Sequence, residues 1–239
     1  MCAVVCHVTL LAIIVFIPLV SLAFFSSPSK VAAGLADFHD ADAMRNENGR
    51  ITSAAMVHAD ITTDQYVNID GVFKLNDFNR CRFMLRRRDS AARVGGDGEP
   101  CGFFVGNNPA KVRACIARKH IALIFYCLIV CMAQNRSPEE YAYTVETEFV
   151  DIYSMGNIIY SILTDKDPWE ETPEKRAQKL VMEGKRPNVP ERVKSSKDFV
   201  DVALRAMMWK CWEQTPNNRP RARKVADFFA KKLSDFQAK

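Results

Sequence analysis

The sequence predicts a mainly helical α+β fold with a short β-hairpin and a hydrophobic helix at its N-terminus. Three observations lead to this prediction. Apolar residues recur at helical spacing over 151–163. Two short runs rich in β-forming residues, 66–69 and 73–75, flank a two-residue turn signal. Residues 2–25 are almost wholly apolar. At 239 residues the chain is long enough for one domain with a full core.

The first 30 residues are predicted to be a separate segment, either a membrane anchor or a signal segment. Residues 2–25 suffice to cross a hydrocarbon layer, which needs ~20 residues. Ser21-Leu22-Ala23 offers small residues where a signal peptidase cleaves, but no positively charged region precedes the apolar run. A third hypothesis is that the coding sequence starts at the wrong place. Lys30 is the nearby basic residue, which favours a membrane location with the rest of the chain facing the cytoplasm.

The next elements are predicted to be a helix, a loop and a hairpin. Residues 31–39 have one apolar face at helical spacing. Residues 40–54 are polar and contain an asparagine–glycine turn signal, which predicts an exposed loop. Strands at 66–69 and 73–75 then enclose an aspartate–glycine pair, which is typical of a two-residue hairpin turn.

Composition and charge narrow the function classes. The chain is 48% hydrophobic and 26% charged, as a globular protein is. The net charge is only +5, and no stripe of lysine and arginine alternates with aromatic residues, so we expect no nucleic-acid partner. The eight cysteines lack the spacing of a zinc site, and we expect them to be reduced, buried thiols.

Two acidic residues lie on either side of the predicted hairpin. Asp60 belongs to a run of residues 57–67, and Asp77 begins the triplet Asp77-Phe78-Asn79 directly after the second strand. This layout resembles the catalytic loop and the metal-binding loop of a eukaryotic protein kinase. The 57–67 run reads Val-His-Ala-Asp-Ile-Thr-Thr-Asp-Gln-Tyr-Val.

The resemblance implies roles for three of these residues. Asp60 would orient the attacking hydroxyl group and accept its proton, and Asp77 would bind the Mg²⁺ that bridges the phosphates of ATP. Gln65 stands at the position of the asparagine that holds a second Mg²⁺, with its oxygen one methylene further out. The implied cofactors are Mg²⁺ and ATP, and the implied partner is a protein that carries Ser, Thr or Tyr.

Three further positions depart from the kinase pattern. Ala59 replaces an arginine that in many kinases binds a phosphate on the activation segment. Thr62 replaces the lysine that neutralises charge on the transferred phosphoryl group, a contribution worth several kcal/mol. Asn79 replaces a glycine, and asparagine tolerates a positive φ better than most residues. We therefore expect a weakened site.

The C-terminal half carries further kinase-like motifs. Ser137-Pro138-Glu139 resembles the end of the activation segment, and Asp151 opens an apolar helix, where the matching aspartate of kinases ties down the catalytic loop. Cys211-Trp212 and Arg219 complete a pattern similar to the tyrosine-kinase-like branch of the family. The resemblance implies a buried ion pair between Glu139 and Arg219.

We thus expect residues 31–239 to form a protein-kinase-like C-terminal lobe, in which 76–139 is an extended activation segment. Residues 112–134 form an apolar insert, for which an extra buried helix and a translated intron are both open hypotheses. The sequence contains no G-x-G-x-x-G motif, so we expect the chain as written to have negligible or weak kinase activity. The alternative function is a membrane-tethered pseudokinase that binds a partner without catalysis.

Overall fold

The structure is a computed structural model that describes residues 27–86, 100–101 and 136–238. The predicted apolar segment 2–25 and the predicted insert 112–134 lie outside the described residues. Within the described part of the chain, no helix is both long enough and apolar enough to cross a membrane.

The described residues are mainly helical, as the sequence predicts. The α-helices are α1 (27–40), α2 (Pro138–Tyr141), α3 (Phe149–Thr164), α4 (Glu174–Met182), α5 (Glu191–Ser195), α6 (Phe199–Cys211) and α7 (Ala222–Gln237). Three single 3₁₀ turns span Thr63–Gln65, Phe78–Arg80 and Pro216–Asn218.

The described strands form four two-stranded antiparallel ladders: β1 (Met44–Arg45) with β2 (Ile51–Ser53), β3 (Met56–Val57) with β6 (Arg82–Phe83), β4 (Tyr66–Ile69) with β5 (Val72–Leu75), and β7 (Leu85–Arg86) with β8 (Pro100–Cys101). The β4–β5 ladder is the predicted hairpin. Its turn residues Asp70 and Gly71 both have positive φ, at 52° and 78°, as a type I′ turn requires.

The region 40–54, predicted to be an exposed loop, is largely exposed, but it also contains two short strands, β1 and β2, that pair with each other. The Asn46 side chain accepts hydrogen bonds from the backbone N–H groups of Asn48 and Arg50, at 3.2 and 2.9 Å. These bonds close the turn between the two strands. The sequence prediction missed the ladder because a two-residue strand is too short to show an alternating pattern.

Helix α3 forms the centre of the core and packs mainly against α6. The helix is buried on nearly all sides, which explains why apolar residues make up most of its length. Ile152, Ile159, Leu204 and Met208 are each 0% exposed. This core supports the loops described below, because Asp151 near the start of α3 bonds the backbone of His58 and Ala59.

Gly156 in α3 allows the closest approach between α3 and the end of α6. A Cβ atom added at Gly156 would lie 2.6 Å from Cδ1 of Trp212. The Trp212 indole is buried and donates a hydrogen bond to Asn157 Oδ1 at 2.8 Å. The tryptophan therefore cannot move away without breaking that bond.

We predict that Gly156→Ala destabilises the protein by about 1–3 kcal/mol, because an added methyl group overpacks the α3–α6 contact. Urea unfolding followed by tryptophan fluorescence measures this loss. Gly34→Ala in α1 is the matched control, because its added Cβ would meet its nearest atom at an ordinary 3.5 Å. The control should be neutral or stabilising by up to ~1 kcal/mol. Equal effects of the two substitutions would contradict the packing argument.

Candidate active site

Asp151 joins the predicted catalytic loop to the core. Its Oδ2 accepts a hydrogen bond from the backbone N–H of His58 at 2.8 Å, and its Oδ1 accepts one from the N–H of Ala59 at 2.7 Å. The His39 ring donates a third bond from Nε2 to Oδ2 at 2.8 Å. Asp151 is 1% exposed. One buried carboxylate therefore fixes the two residues that precede Asp60.

Ala59 has a strained backbone conformation, and the hydrogen bonds to Asp151 help to maintain it. Ala59 has a φ of 60°, a left-handed conformation that non-glycine residues adopt at a cost. The N–H group that bonds Asp151 belongs to this same residue. The buried carboxylate thus compensates for the backbone strain next to Asp60.

The β4–β5 hairpin brings Gln65 close to Asp77. The backbone N–H of Asn76 donates to the carbonyl of Gln65 at 2.8 Å, just beyond the pairing of Tyr66 with Leu75. Asp77 is the next residue after Asn76. The two predicted Mg²⁺ ligands therefore flank the open end of one hairpin, although they are twelve positions apart in the sequence.

The second predicted loop is held by aromatic contacts and by His58. The ring of Phe78 lies 5.4 Å from that of His58 and 5.6 Å from that of Phe38 on α1, centroid to centroid. The His58 ring donates from Nε2 to the carbonyl oxygen of Asn76 at 2.9 Å. His58 is 0% exposed. It connects the two loops, because its backbone bonds Asp151 and its side chain bonds the residue before Asp77.

Asp77 has the left-handed conformation, with φ 58° and ψ 68°. Its Oδ1 accepts from the backbone N–H and the side-chain amide of Asn79, at 3.4 and 2.5 Å. No bond to Oδ2 occurs among the described residues. Asn79 thus stabilises the turn through its side chain, but it does not have the positive φ that its replacement of a glycine suggested; that conformation falls on Asp77.

The donor set of Asp77 and Gln65 fits Mg²⁺. The ion prefers oxygen ligands, and in phosphate sites one or two carboxylates together with the phosphates are sufficient. Asp77 offers carboxylate oxygens and Gln65 an amide oxygen. The described residues contain no cluster of three or more His, Cys, Asp or Glu that could hold a metal by themselves.

Asp60 contacts a residue that the sequence analysis did not single out. The guanidinium Nη1 of Arg80 lies 3.6 Å from Asp60 Oδ1. Arg80 ends the 3₁₀ turn that Asp77 caps. The two acids therefore lie at either end of one short turn, with Asp77 before it and Asp60 bound through Arg80 after it.

The surroundings of Arg80 are rich in buried charge. Burial lowers the pKa of the Arg80 guanidinium, and the nearby positive charge of Arg136 lowers it further. The carboxylates of Asp60, Glu140 and Glu146 act in the opposite direction. The Arg80 side chain is only 15% exposed. The surrounding carboxylates stabilise its positive charge in this buried position.

Arg136 and Glu140 form a closed arrangement at the start of α2. Arg136 Nη1 lies 3.1 Å from Glu140 Oε1, and Glu140 Oε2 accepts from the N–H and the hydroxyl of Ser137 at 2.8 and 2.9 Å. This is a capping box. Burial raises the pKa of Glu140, while Arg136 and Ser137 oppose that shift. The charge of Arg136 is thus neutralised locally.

A small cavity of about 30 Å³ lies beside Asp60. Ala59 and Thr62, the two positions where the kinase pattern has a long basic side chain, both line it. Both positions carry short side chains in this protein. The other lining residues are Asp60, Ile61, Arg136, Glu140 and Ser154.

Glu139 and Arg219 form a bidentate ion pair beneath the loops. Arg219 Nη1 and Nη2 lie 2.6 and 2.9 Å from Glu139 Oε1 and Oε2. Arg219 also donates to the carbonyl oxygen of Phe149 at 2.8 Å and to that of Glu213 at 2.8 Å. Both charged side chains are buried. The pair joins α2, which contains Glu139, to the start of α3.

Sequence reasoning missed His39 and Arg80. His39 follows the apolar face of α1 by one residue, and a lone histidine in a helix gives no signal of a partner 112 positions away. Arg80 lies just after the Asp77 triplet, within a run of ordinary basic residues. Only the structure identifies Arg80 as a site residue, because the pairing of β3 with β6 places it next to Asp60.

Comparisons with known proteins show similarity to protein kinases in the C-terminal half of the chain. Residues 131–229 match the family model described as protein tyrosine and serine/threonine kinase. The matched stretch contains Glu139, Asp151 and Arg219, and it begins after Asp60 and Asp77 in the sequence. Residues 131–229 are therefore similar to part of a protein tyrosine and serine/threonine kinase domain.

The chain is also similar to parts of three individual proteins. The RGS domain-containing serine/threonine-protein kinase A of Dictyostelium discoideum is 30% identical over 92 residues, which is 38% of this chain and 8% of that protein. The dual specificity protein kinase pyk3 of the same organism is 37% identical over 86 residues, 36% of this chain and 6% of that protein. The mast/stem cell growth factor receptor Kit of Takifugu rubripes is 32% identical over 101 residues, 41% of this chain and 10% of that protein. The chain spans no more than a tenth of the length of these three relatives.

Proposed function

We propose that the loops around Asp60 and Asp77 form a phosphoryl-transfer site of the protein kinase type, with weak turnover. The observation that carries this proposal is the placement of both acids around one 3₁₀ turn, with Gln65 at the adjacent hairpin end. A protein that presents Ser, Thr or Tyr is the proposed acceptor, and ATP is the proposed phosphate donor. The kinase relatives support this choice of substrates.

Each residue has one role in the proposed reaction. The Asp60 carboxylate holds the acceptor hydroxyl and takes its proton, while the oxygen forms a bond to the terminal phosphorus of ATP and the bond to the ADP oxygen breaks. Asp77 and Gln65 hold Mg²⁺, which when bound neutralises charge on the phosphate oxygens. Asp151 and His58 keep the loops in place and touch no substrate.

The weak turnover follows from the residues that surround Asp60. Positioning and electrostatic stabilisation supply most of the rate in phosphoryl transfer. Thr62 lines a cavity beside Asp60 where the lysine of the kinase pattern would contribute charge to the transferred phosphoryl group. The site can therefore position a hydroxyl group, but it stabilises the transferred phosphoryl group less well.

We predict that Asp77→Ala weakens Mg-ATP binding by the full chain at least about tenfold, because a contact to a charged group is worth ~1.5–3 kcal/mol. Titration followed by backbone amide signals of residues 76–80 measures this change, and radiolabelled phosphate transfer to a protein acceptor measures the accompanying loss of activity. Removing Mg²⁺ should have the same effect on the wild type as the substitution.

Asp64→Ala is the matched control for this experiment. Asp64 is an exposed acid in the 3₁₀ turn before the hairpin, so its removal changes the net charge equally without touching the proposed ligands. The control should bind Mg-ATP as the wild type does. Transfer activity that persists in Asp77→Ala would overturn the proposed function.

A binding module without catalysis is the second candidate, and exposed apolar side chains favour it. On the hairpin, Val67, Ile69 and Val72 are 41%, 47% and 52% exposed, and Phe78 in the adjoining turn is 50% exposed. Such a patch is typical of a surface that another protein segment covers. If no concentration of Mg-ATP shifts the amide signals or the melting temperature of the wild type, this candidate replaces the first.

We also propose that residues 2–25 tether the lobe to the cytoplasmic face of a membrane. The support is the length of the apolar run and the basic Lys30 that follows it. Membrane fractions washed with alkaline carbonate test the tether: a chain without residues 2–25 should be released, and the full chain should remain. Release of the full chain would refute this location.

A further inference from the structure

Arg80 is a mostly buried cation whose bonding capacity is largely unused. Its guanidinium has five N–H donors; among the described residues it makes one ion pair, with Asp60 at 3.6 Å, and the carboxylates of Glu140 and Glu146 also stabilise its charge. A buried charge is costly unless it is paired and hydrogen-bonded. The unused donors therefore favour a second anion at this position.

The fold fixes the position of Arg80 between the two acids. Strands β3 and β6 pair Val57 with Arg82, so Asp60 follows one strand by three residues and Arg80 precedes the other by two. From the opposite side, the 3₁₀ turn that begins after Asp77 ends at Arg80. The guanidinium thus has a defined place beside both predicted site residues, unlike an arginine on a free loop.

The neighbouring arginine is not equivalent. Arg136 lines the cavity beside Asp60; its Nη1 pairs with Glu140 Oε1 at 3.1 Å, while its buried Nε has no hydrogen-bond partner among the described residues. Arg80 has the weaker pairing, since its contact with Asp60 is longer and the Asp60 side chain is 34% exposed. Of the two arginines, Arg80 therefore has the weaker ion pair.

We propose that Arg80 binds the terminal phosphate of the nucleotide and supplies the positive charge that Thr62 lacks. The proposal rests on the proposed phosphoryl-transfer function. Guanidinium groups bind phosphate oxygens through two parallel hydrogen bonds. Arg80 would hold Asp60 on one side and the phosphate on the other. The same group would then place the proton acceptor next to the phosphorus that is attacked.

Binding of Mg-ATP and Mg-ADP to the full chain tests this proposal, because only Mg-ATP carries the terminal phosphate. In a ¹⁵N NMR titration, the Arg80 Nε–H signal of the wild type should shift with Mg-ATP much more than with Mg-ADP. Arg80→Gln should weaken Mg-ATP binding about 10- to 100-fold, as expected for a lost hydrogen bond to a charged group. Mg-ADP binding should change less than about twofold. Arg80→Lys, which keeps the charge, should recover part of the Mg-ATP affinity.

Arg82→Gln is the matched control, because Arg82 is exposed and bonds only the carbonyl oxygen of the adjacent Cys81 among the described residues. It should leave both affinities unchanged. If Arg80→Gln lowers the melting temperature but keeps the ratio of the two affinities, Arg80 only stabilises Asp60 and the proposal is wrong. If neither nucleotide moves the Asp77 amide signal in the wild type, the proposed function itself fails, and the role of Arg80 fails with it.

Discussion

Replacing Arg219 by leucine should cost the protein about 3–5 kcal/mol of its free energy of unfolding, because the substitution strands the buried Glu139 carboxylate without its partner. The structure shows two short contacts between the side chains, at 2.6 and 2.9 Å. The guanidinium also lies over the Tyr153 ring, 5.0 Å from its centroid. A domain of this size is stabilised by only ~5–15 kcal/mol, so a large share of its stability depends on this group.

Urea unfolding followed by the fluorescence of the buried Trp212 measures the loss. Arg223→Gln is the matched control: Arg223 also pairs with two acids, Asp37 and Asp40, at 2.6 and 2.7 Å, but its side chain is 42% exposed. Exposed pairs contribute ~0–1 kcal/mol, so the control should stay within that range.

The Glu139→Leu/Arg219→Leu double substitution separates the cost of a stranded charge from the value of the ion pair. Apolar groups that replace both members of a buried pair are often tolerated. The double variant should therefore be more stable than Arg219→Leu alone. If the double variant is as unstable as the sum of the two single substitutions, the loss does not come from a stranded carboxylate, and our explanation of the single variant is wrong.

Features that depend on neighbouring residues were predictable from the sequence. The type I′ hairpin turn at Asp70-Gly71 follows from the backbone preferences of those two residues, and strands β4 and β5 lie within a residue of their predicted bounds. Helix α3 was predictable because apolar residues recur at helical spacing over 151–163. In each case the determining interactions lie within one element or between adjacent elements.

The polar contacts of the site were less predictable, because they join distant segments. His39 and Asp151 meet across 112 positions, and the Asp60–Arg80 contact depends on the pairing of β3 with β6, each only two residues long. Neither histidines nor arginines have a periodicity that reveals a partner. The kinase resemblance supplied Asp151 and Asp60, but it gave no reason to consider His39 or Arg80.

The site and the core are therefore coupled through a small number of buried polar groups. Asp151 belongs to the central helix α3, and its oxygens bind the loop that carries Asp60. Arg219 bonds the first residue of that helix, Phe149, through its carbonyl oxygen. A substitution at the N-terminal end of α3 should thus destabilise the loops more than it destabilises helices α4 and α5.

Replacing Asp151 by alanine tests this coupling and should destabilise the protein by about 3–5 kcal/mol. The substitution removes three hydrogen bonds, from His58, Ala59 and His39, and each buried N–H group left without a partner costs ~1–3 kcal/mol. Ala59 would also lose the bond that holds its left-handed backbone. Calorimetric melting measures the overall loss.

Hydrogen exchange shows where that loss begins. In the Asp151→Ala variant, the amide protons of His58 and Ala59 should exchange far faster than in the wild type, whereas those of α4 and α5 should change only by the amount that global unfolding requires. Asp227→Asn is the control, because Asp227 is exposed on α7 and should alter stability by less than ~0.5 kcal/mol. Uniform acceleration of exchange throughout the chain would show that Asp151 stabilises the domain as a whole. Since the carboxylate binds the loop directly, we expect the local pattern.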